Sequence, residues 1–128
     1  MSLQTPLHRV EGLGSAKAGT GEFWRQRVTA VALVPLSIWF VWSALALVGG
    51  NQDNALAFFG NPTNAVLMLL FLIAGLYHMS IGVQIVIEDY VHQPLLKITC
   101  IILTRFFALA VGVATAFALL KIAFEPLT

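Results

Sequence analysis

The chain has 128 residues, of which 59% are hydrophobic and 10% charged, with a mean hydropathy of +0.86; a soluble domain carries roughly a quarter charged residues, so this is an integral membrane protein. A net charge of +1, with the basic residues gathered near the N-terminus rather than in a patch, excludes a nucleic-acid-binding surface. The single cysteine, Cys100, excludes an intrachain disulfide, has no Cys or His at metal-ligand spacing, and is read as a small apolar residue of a span.

Residues 1–22 contain Gly12, Gly14, Gly19 and Gly21 with Arg9 and Lys17. They lack the apolar run of a secretory signal. They are expected to form an N-terminal tail on the cytoplasmic side, draped on a partner, and residues 23–128 a transmembrane anchor domain.

No charged residue occurs between Arg27 and Asp53, and residues 28–48 supply 21 predominantly apolar positions, against about 20 needed to cross a hydrocarbon core. This is the first span. Pro35 lies inside it, where a mild kink is expected and tolerated in a membrane helix. The segment GGNQDN, residues 49–54, reads as a helix stop and turn, followed by a short linker through ALAFFG to Asn61-Pro62.

Residues 64–87 are 24 positions without a formal charge, with His78 and Gln84 as the conspicuous polar members and Thr63 or Asn64 as the cap. This is the second span. It closes on Glu88-Asp89-Tyr90, and Pro94 marks a tight connection to the third span, residues 98–120, interrupted by Arg105. The expected architecture is all-α, a three-helix transmembrane bundle. Arg9, Lys17, Arg25, Arg27 and Lys97 fall on one side and Lys121 on the other, which places the N-terminus in the cytoplasm and the C-terminus outside it. Three spans enclose too little to partner their own polar positions, so a helical partner subunit is expected.

On a helix advancing 100° per residue, Gly75, His78, Gly82, Ile85 and Asp89 share one face, with His78 and Asp89 about 16 Å apart along the axis. That face joins mid-membrane to the cytoplasmic edge. An imidazole in hydrocarbon needs a partner. A metal suits its free nitrogen, haem iron above all, with Gly75 and Gly82 making room for a flat macrocycle; a hydrogen bond to a neighbouring helix, with the glycines serving close packing, meets the same need. Arg27 is placed to meet a haem propionate or to anchor the span at the interface, as Arg25 does. Arg105 stands about two turns into its span and is expected to snorkel to the interface. Tyr90 offers a donor at the water–lipid boundary and Asp89 an acceptor beside it, suited to a quinone headgroup; an aromatic-belt tyrosine beside a helix-ending acid has the same composition.

Taken together, His78-x3-Gly82-x6-Asp89-Tyr90, the entry segment FWRQRVTAVALVPLS at residues 23–37, and DYVHQP resemble the small hydrophobic membrane anchor subunit of succinate dehydrogenase, respiratory complex II, in its alphaproteobacterial and mitochondrial form. The resemblance spans most of the chain. It implies that His78 is one axial ligand of a haem b whose other ligand comes from the larger cytochrome b anchor subunit. Arg27 would approach a propionate, Tyr90 would donate to a ubiquinone carbonyl, and Asp89 would shape that site and deliver protons. The flavoprotein and iron–sulfur subunits would dock on the cytoplasmic face of the bacterial inner membrane, and no residue here would oxidise succinate. Arg105 receives no role from the resemblance. The competing expectations are the anchor of a fumarate reductase, and a structural or assembly subunit without a cofactor in which His78 and Arg105 pair with neighbouring helices.

Overall fold

The computed structural model describes residues 5–11 and 17–125. These form five helices: α1 (Pro6–Glu11), α2 (Lys17–Leu47), α3 (Gln52–Gly60), α4 (Pro62–Tyr90) and α5 (Pro94–Phe124). Three are long and apolar enough to cross a membrane, over Thr20–Leu47, Pro62–Tyr90 and Pro94–Phe124. The expected all-α, three-span architecture is therefore the observed one.

The helices outrun the expected spans at nearly every end. Charged residues mark where hydrocarbon stops, but a backbone that keeps its hydrogen bonds continues into the headgroup region. Thus α2 begins at Lys17, within the stretch read as a tail, and α4 and α5 extend to Tyr90 and Phe124. Helix α2 runs unbroken through Pro35, whose missing N–H leaves the Val31 carbonyl without its usual partner.

The linker after the first span is itself helical. Gly49 takes a φ of +83°, the left-handed conformation that ends α2, and Asn51 then caps α3 by accepting from the Asn54 backbone N–H at 3.1 Å. Neither Thr63 nor Asn64 caps α4. Asn61 does so, its Oδ1 accepting from the Thr63 N–H at 3.0 Å with Pro62 at the first helical position, while the Asn64 amide donates back to the Phe58 carbonyl at 3.1 Å.

Helix α4 is central, packing along both α2 and α5, and α3 folds against α4 and α5. Phe40 and Phe71 stack across the α2–α4 seam with centroids 4.8 Å apart, and Trp39 stacks on Phe58 of α3 at 6.1 Å. On the α4–α5 seam a Cβ on Gly112 would stand 3.1 Å from Leu76 Cδ1, so the missing side chain sets how closely these helices approach. Among the described residues the buried set is small: Ser43, Ala65, Ile87 and Leu119. Most apolar side chains face outward, as in a subunit whose surroundings are lipid and other helices.

Candidate functional site

The α2–α4 seam holds the strongest candidate. Gln26, Thr29, Ala30 and Leu33 recur at helical spacing along α2 and turn toward α4. There a cavity of about 350 Å³ is lined by Phe23, Gln26, Arg27, Ala30, His78 and Ile85, with Glu22 at its rim. His78 and Arg27, assigned to one site from the sequence, therefore border the same cavity.

His78 is half-buried. Its Nδ1 lies 3.1 Å from Thr29 Oγ1, so the ring is held on one nitrogen. Arg27 carries its guanidinium 5.1 Å from the Phe23 ring centroid, one turn back along α2, a cation–π contact that keeps the charge at the cavity's edge. Gln26 Oε1 is buried with no hydrogen-bond donor among the described residues. An unpaired buried acceptor costs about 1–3 kcal/mol, so a donor from outside the described residues, water included, would be favoured at this cavity.

The glycines on the His78 face lie against α2. A Cβ on Gly82 would meet Gln26 Nε2 at 3.5 Å and one on Gly75 would meet Leu33 Cδ2 at 3.9 Å; both lie against α2 side chains in ordinary contact, as close-packing glycines do.

Among the described residues no group of three or more His, Cys, Asp or Glu is placed to hold a metal ion. In this cavity the described residue able to ligate a metal through nitrogen is the single imidazole of His78. That fits haem iron, which takes a single imidazole from a helix and its remaining axial donor elsewhere. The cavity suits such a group: one ring nitrogen is engaged and the other is not, a guanidinium stands at the rim, and an acceptor inside lacks its donor.

Tyr90 and Asp89 close α4 and line no part of this cavity. Tyr90 is 78% exposed, and neither side chain hydrogen-bonds to a described residue. Their position at a helix end, on the surface of this chain, suits a site finished by another subunit.

Thr29 and Gln26 carry no role in the sequence reading, and Arg105, expected either to snorkel or to pair with a neighbouring helix, makes a contact between helices. Arg105 Nη2 donates to Gln84 Oε1 at 3.0 Å, and Gln84 Nε2 donates in turn to Glu88 at 2.9 Å and Glu22 at 3.3 Å. One amide thus ties α2, α4 and α5 together. The network borders a larger groove of about 590 Å³, apolar toward Leu69, Leu109 and Val113, where Arg25 also reaches Tyr77 Oη at 3.4 Å. The signal in the sequence was two isolated polar residues, Gln84 and Arg105, within apolar spans; their meeting, with Glu22 from the start of α2, depends on helix rotation, which no single helix encodes. Arg105→Leu and Gln84→Leu are each expected to weaken the bundle by about 0.6 to 1.7 kcal/mol, and the double variant by less than their sum. Thermal dissociation of the purified complex checks this, and an unchanged midpoint for Arg105→Leu would remove the network from the account.

The family model described as succinate dehydrogenase/fumarate reductase transmembrane subunit matches residues 1–119. The chain is 38% identical over 117 residues to the succinate dehydrogenase hydrophobic membrane anchor subunit of Paracoccus denitrificans, covering 91% of this chain and 90% of that one. It is 34% identical over 106 residues to the protein of the same description in Rickettsia bellii, covering 83% and 85%. A succinate dehydrogenase membrane anchor subunit from Reclinomonas americana is 26% identical over 98 residues, covering 74% and 82%. With three membrane-spanning helices and a match over nearly its whole length, this chain belongs to the family of succinate dehydrogenase/fumarate reductase transmembrane subunits.

Proposed function

We propose that this chain anchors a succinate dehydrogenase in the bacterial inner membrane and helps to bind haem b and ubiquinone there, passing electrons from an iron–sulfur subunit toward the quinone. The observation that carries the reading is the convergence of His78 and Arg27 on one cavity between α2 and α4. In support, relatives alike over most of their length carry the name succinate dehydrogenase hydrophobic membrane anchor subunit.

His78 would hold the haem iron through an imidazole nitrogen, with a larger cytochrome b anchor subunit supplying the second donor. Arg27 would balance the charge of a propionate at the cytoplasmic edge. When bound, the haem would supply a one-electron redox centre within the membrane. Tyr90 would donate its phenolic proton in a hydrogen bond to a ubiquinone carbonyl, and Asp89 would receive water-borne protons and hand them to the oxygens being reduced. The protein contributes orientation, donors and a low-dielectric setting, while succinate oxidation belongs to a flavoprotein subunit. The concentration of Lys and Arg in the N-terminal segment and the second loop favours a cytoplasmic N-terminus, the side on which soluble subunits would dock.

The family also includes fumarate reductases, and the Asp89-Tyr90 pair favours the ubiquinone-linked direction over them. A cofactor-free structural subunit is the reading from another class. Purification through a tag on this chain is expected to recover four subunits, one bearing flavin, with a b-type band in the reduced-minus-oxidised spectrum and succinate-dependent ubiquinone reduction. A complex without haem would overturn the ligand assignment, and a complex that reduces fumarate but no ubiquinone would overturn the direction.

A further inference from the structure

We propose that Thr29 is a positioning residue for the iron ligand: its hydroxyl holds His78 as the Nδ1-protonated tautomer and leaves Nε2 as the free donor. This rests on the haem reading given above.

Thr29 Oγ1 has one hydrogen and lies 2.7 Å from the Arg25 carbonyl and 3.1 Å from the Gln26 carbonyl. Both carbonyls only accept, so the hydroxyl proton is directed to them, to Arg25 by the shorter distance. This is the bond a threonine makes one turn back within a helix, and it fixes the rotamer. The third neighbour, His78 Nδ1 at 3.1 Å, then faces lone pairs. A ring nitrogen that close to an acceptor brings the hydrogen itself. In the neutral imidazole the second nitrogen is then unprotonated, the state that binds metal.

Thr29 stands on α2 and His78 on α4, so the bond also fixes the ring plane relative to the neighbouring helix. Its acceptor strength is raised because the hydroxyl proton is already drawn toward a carbonyl. A metal-bound imidazole that donates from its other nitrogen is more basic and better oriented than a free one, and losing such a partner typically lowers metal affinity about 10- to 100-fold. The fragment Arg27-Val28-Thr29-Ala30 thus carries two functions two residues apart, a charge at the cavity and an acceptor for the imidazole.

The test uses the purified complex carrying Thr29→Val, which keeps the shape and removes the acceptor, and Thr29→Ser, which keeps the acceptor. For Thr29→Val the expected result is a haem-to-flavin ratio that falls on dilution as affinity drops about 10- to 100-fold. The midpoint potential of the haem that remains should rise, because a less basic ligand stabilises ferric iron less. Thr29→Ser should match wild type in both. If the valine variant does not assemble, Thr29→Ala, too small to clash with the ring, is expected to give the same shift. Wild-type occupancy and potential in Thr29→Val or Thr29→Ala would overturn the proposal, as would Thr29→Ser behaving like valine. A wild-type complex with no b-type spectrum would instead overturn the haem reading on which it rests, before any variant is made.

Discussion

Replacing Tyr90 by Phe is expected to lower ubiquinone reduction by about 10- to 150-fold while succinate oxidation with a soluble artificial acceptor stays at the wild-type rate. The magnitude follows from what the phenol would face. A quinone carbonyl gains negative charge as it is reduced, and a hydrogen bond to a charged oxygen contributes about 1.5–3 kcal/mol, which is that range in rate. The substitution is structurally quiet, because Tyr90 is 78% exposed and its hydroxyl bonds to no described residue, so its loss breaks nothing within the chain. Parallel assays on one preparation separate the outcomes. Equal loss of both activities would indicate a damaged complex, and retention of both would return Tyr90 to the aromatic belt.

The parts of this molecule that could be read from sequence are those set by a single helix. Predominantly apolar stretches of 21 and 24 residues within charge-free sequence located the first two spans, since crossing hydrocarbon is a matter of length and composition. That His78 and Arg27 border one cavity was partly legible, although counting set His78 at mid-membrane and Arg27 at the edge, while the 3.1 Å contact between Thr29 and His78 brings the two to nearly one depth. Helix rotation was not legible. Gly75 and Gly82 share the His78 face as expected, yet they pack on Leu33 and Gln26 of α2, and which neighbour covers a glycine depends on an angle that one chain's periodicity leaves open. The same is true of Arg105, whose partner Gln84 lies 21 residues away on another helix. Helix α3 was missed for a different reason: Asn51, Asp53 and Asn54 signal a turn, and they also start a helix, with Asn51 as its cap.

His78→Leu distinguishes a ligand from a merely satisfied polar residue more sharply than any stability measurement. If the imidazole serves only to bond Thr29, leucine fills its place at little cost: an interhelical hydrogen bond in a membrane averages about 0.6 kcal/mol, and Thr29 keeps its bond to the Arg25 carbonyl at 2.7 Å. The complex would assemble with an unchanged spectrum. If His78 ligates iron, the expected result is loss of the low-spin b-type band in the reduced-minus-oxidised spectrum. Any haem retained through the partner's ligand would have an open axial position and would bind carbon monoxide, which an iron with two imidazoles does not. Arg27→Gln serves as the companion, since it leaves both axial donors in place: a low-spin spectrum with weakened haem retention is expected, because a propionate loses its cation. Loss of the low-spin band in His78→Leu but not in Arg27→Gln would assign the iron to the imidazole and the propionate to the rim of the same cavity.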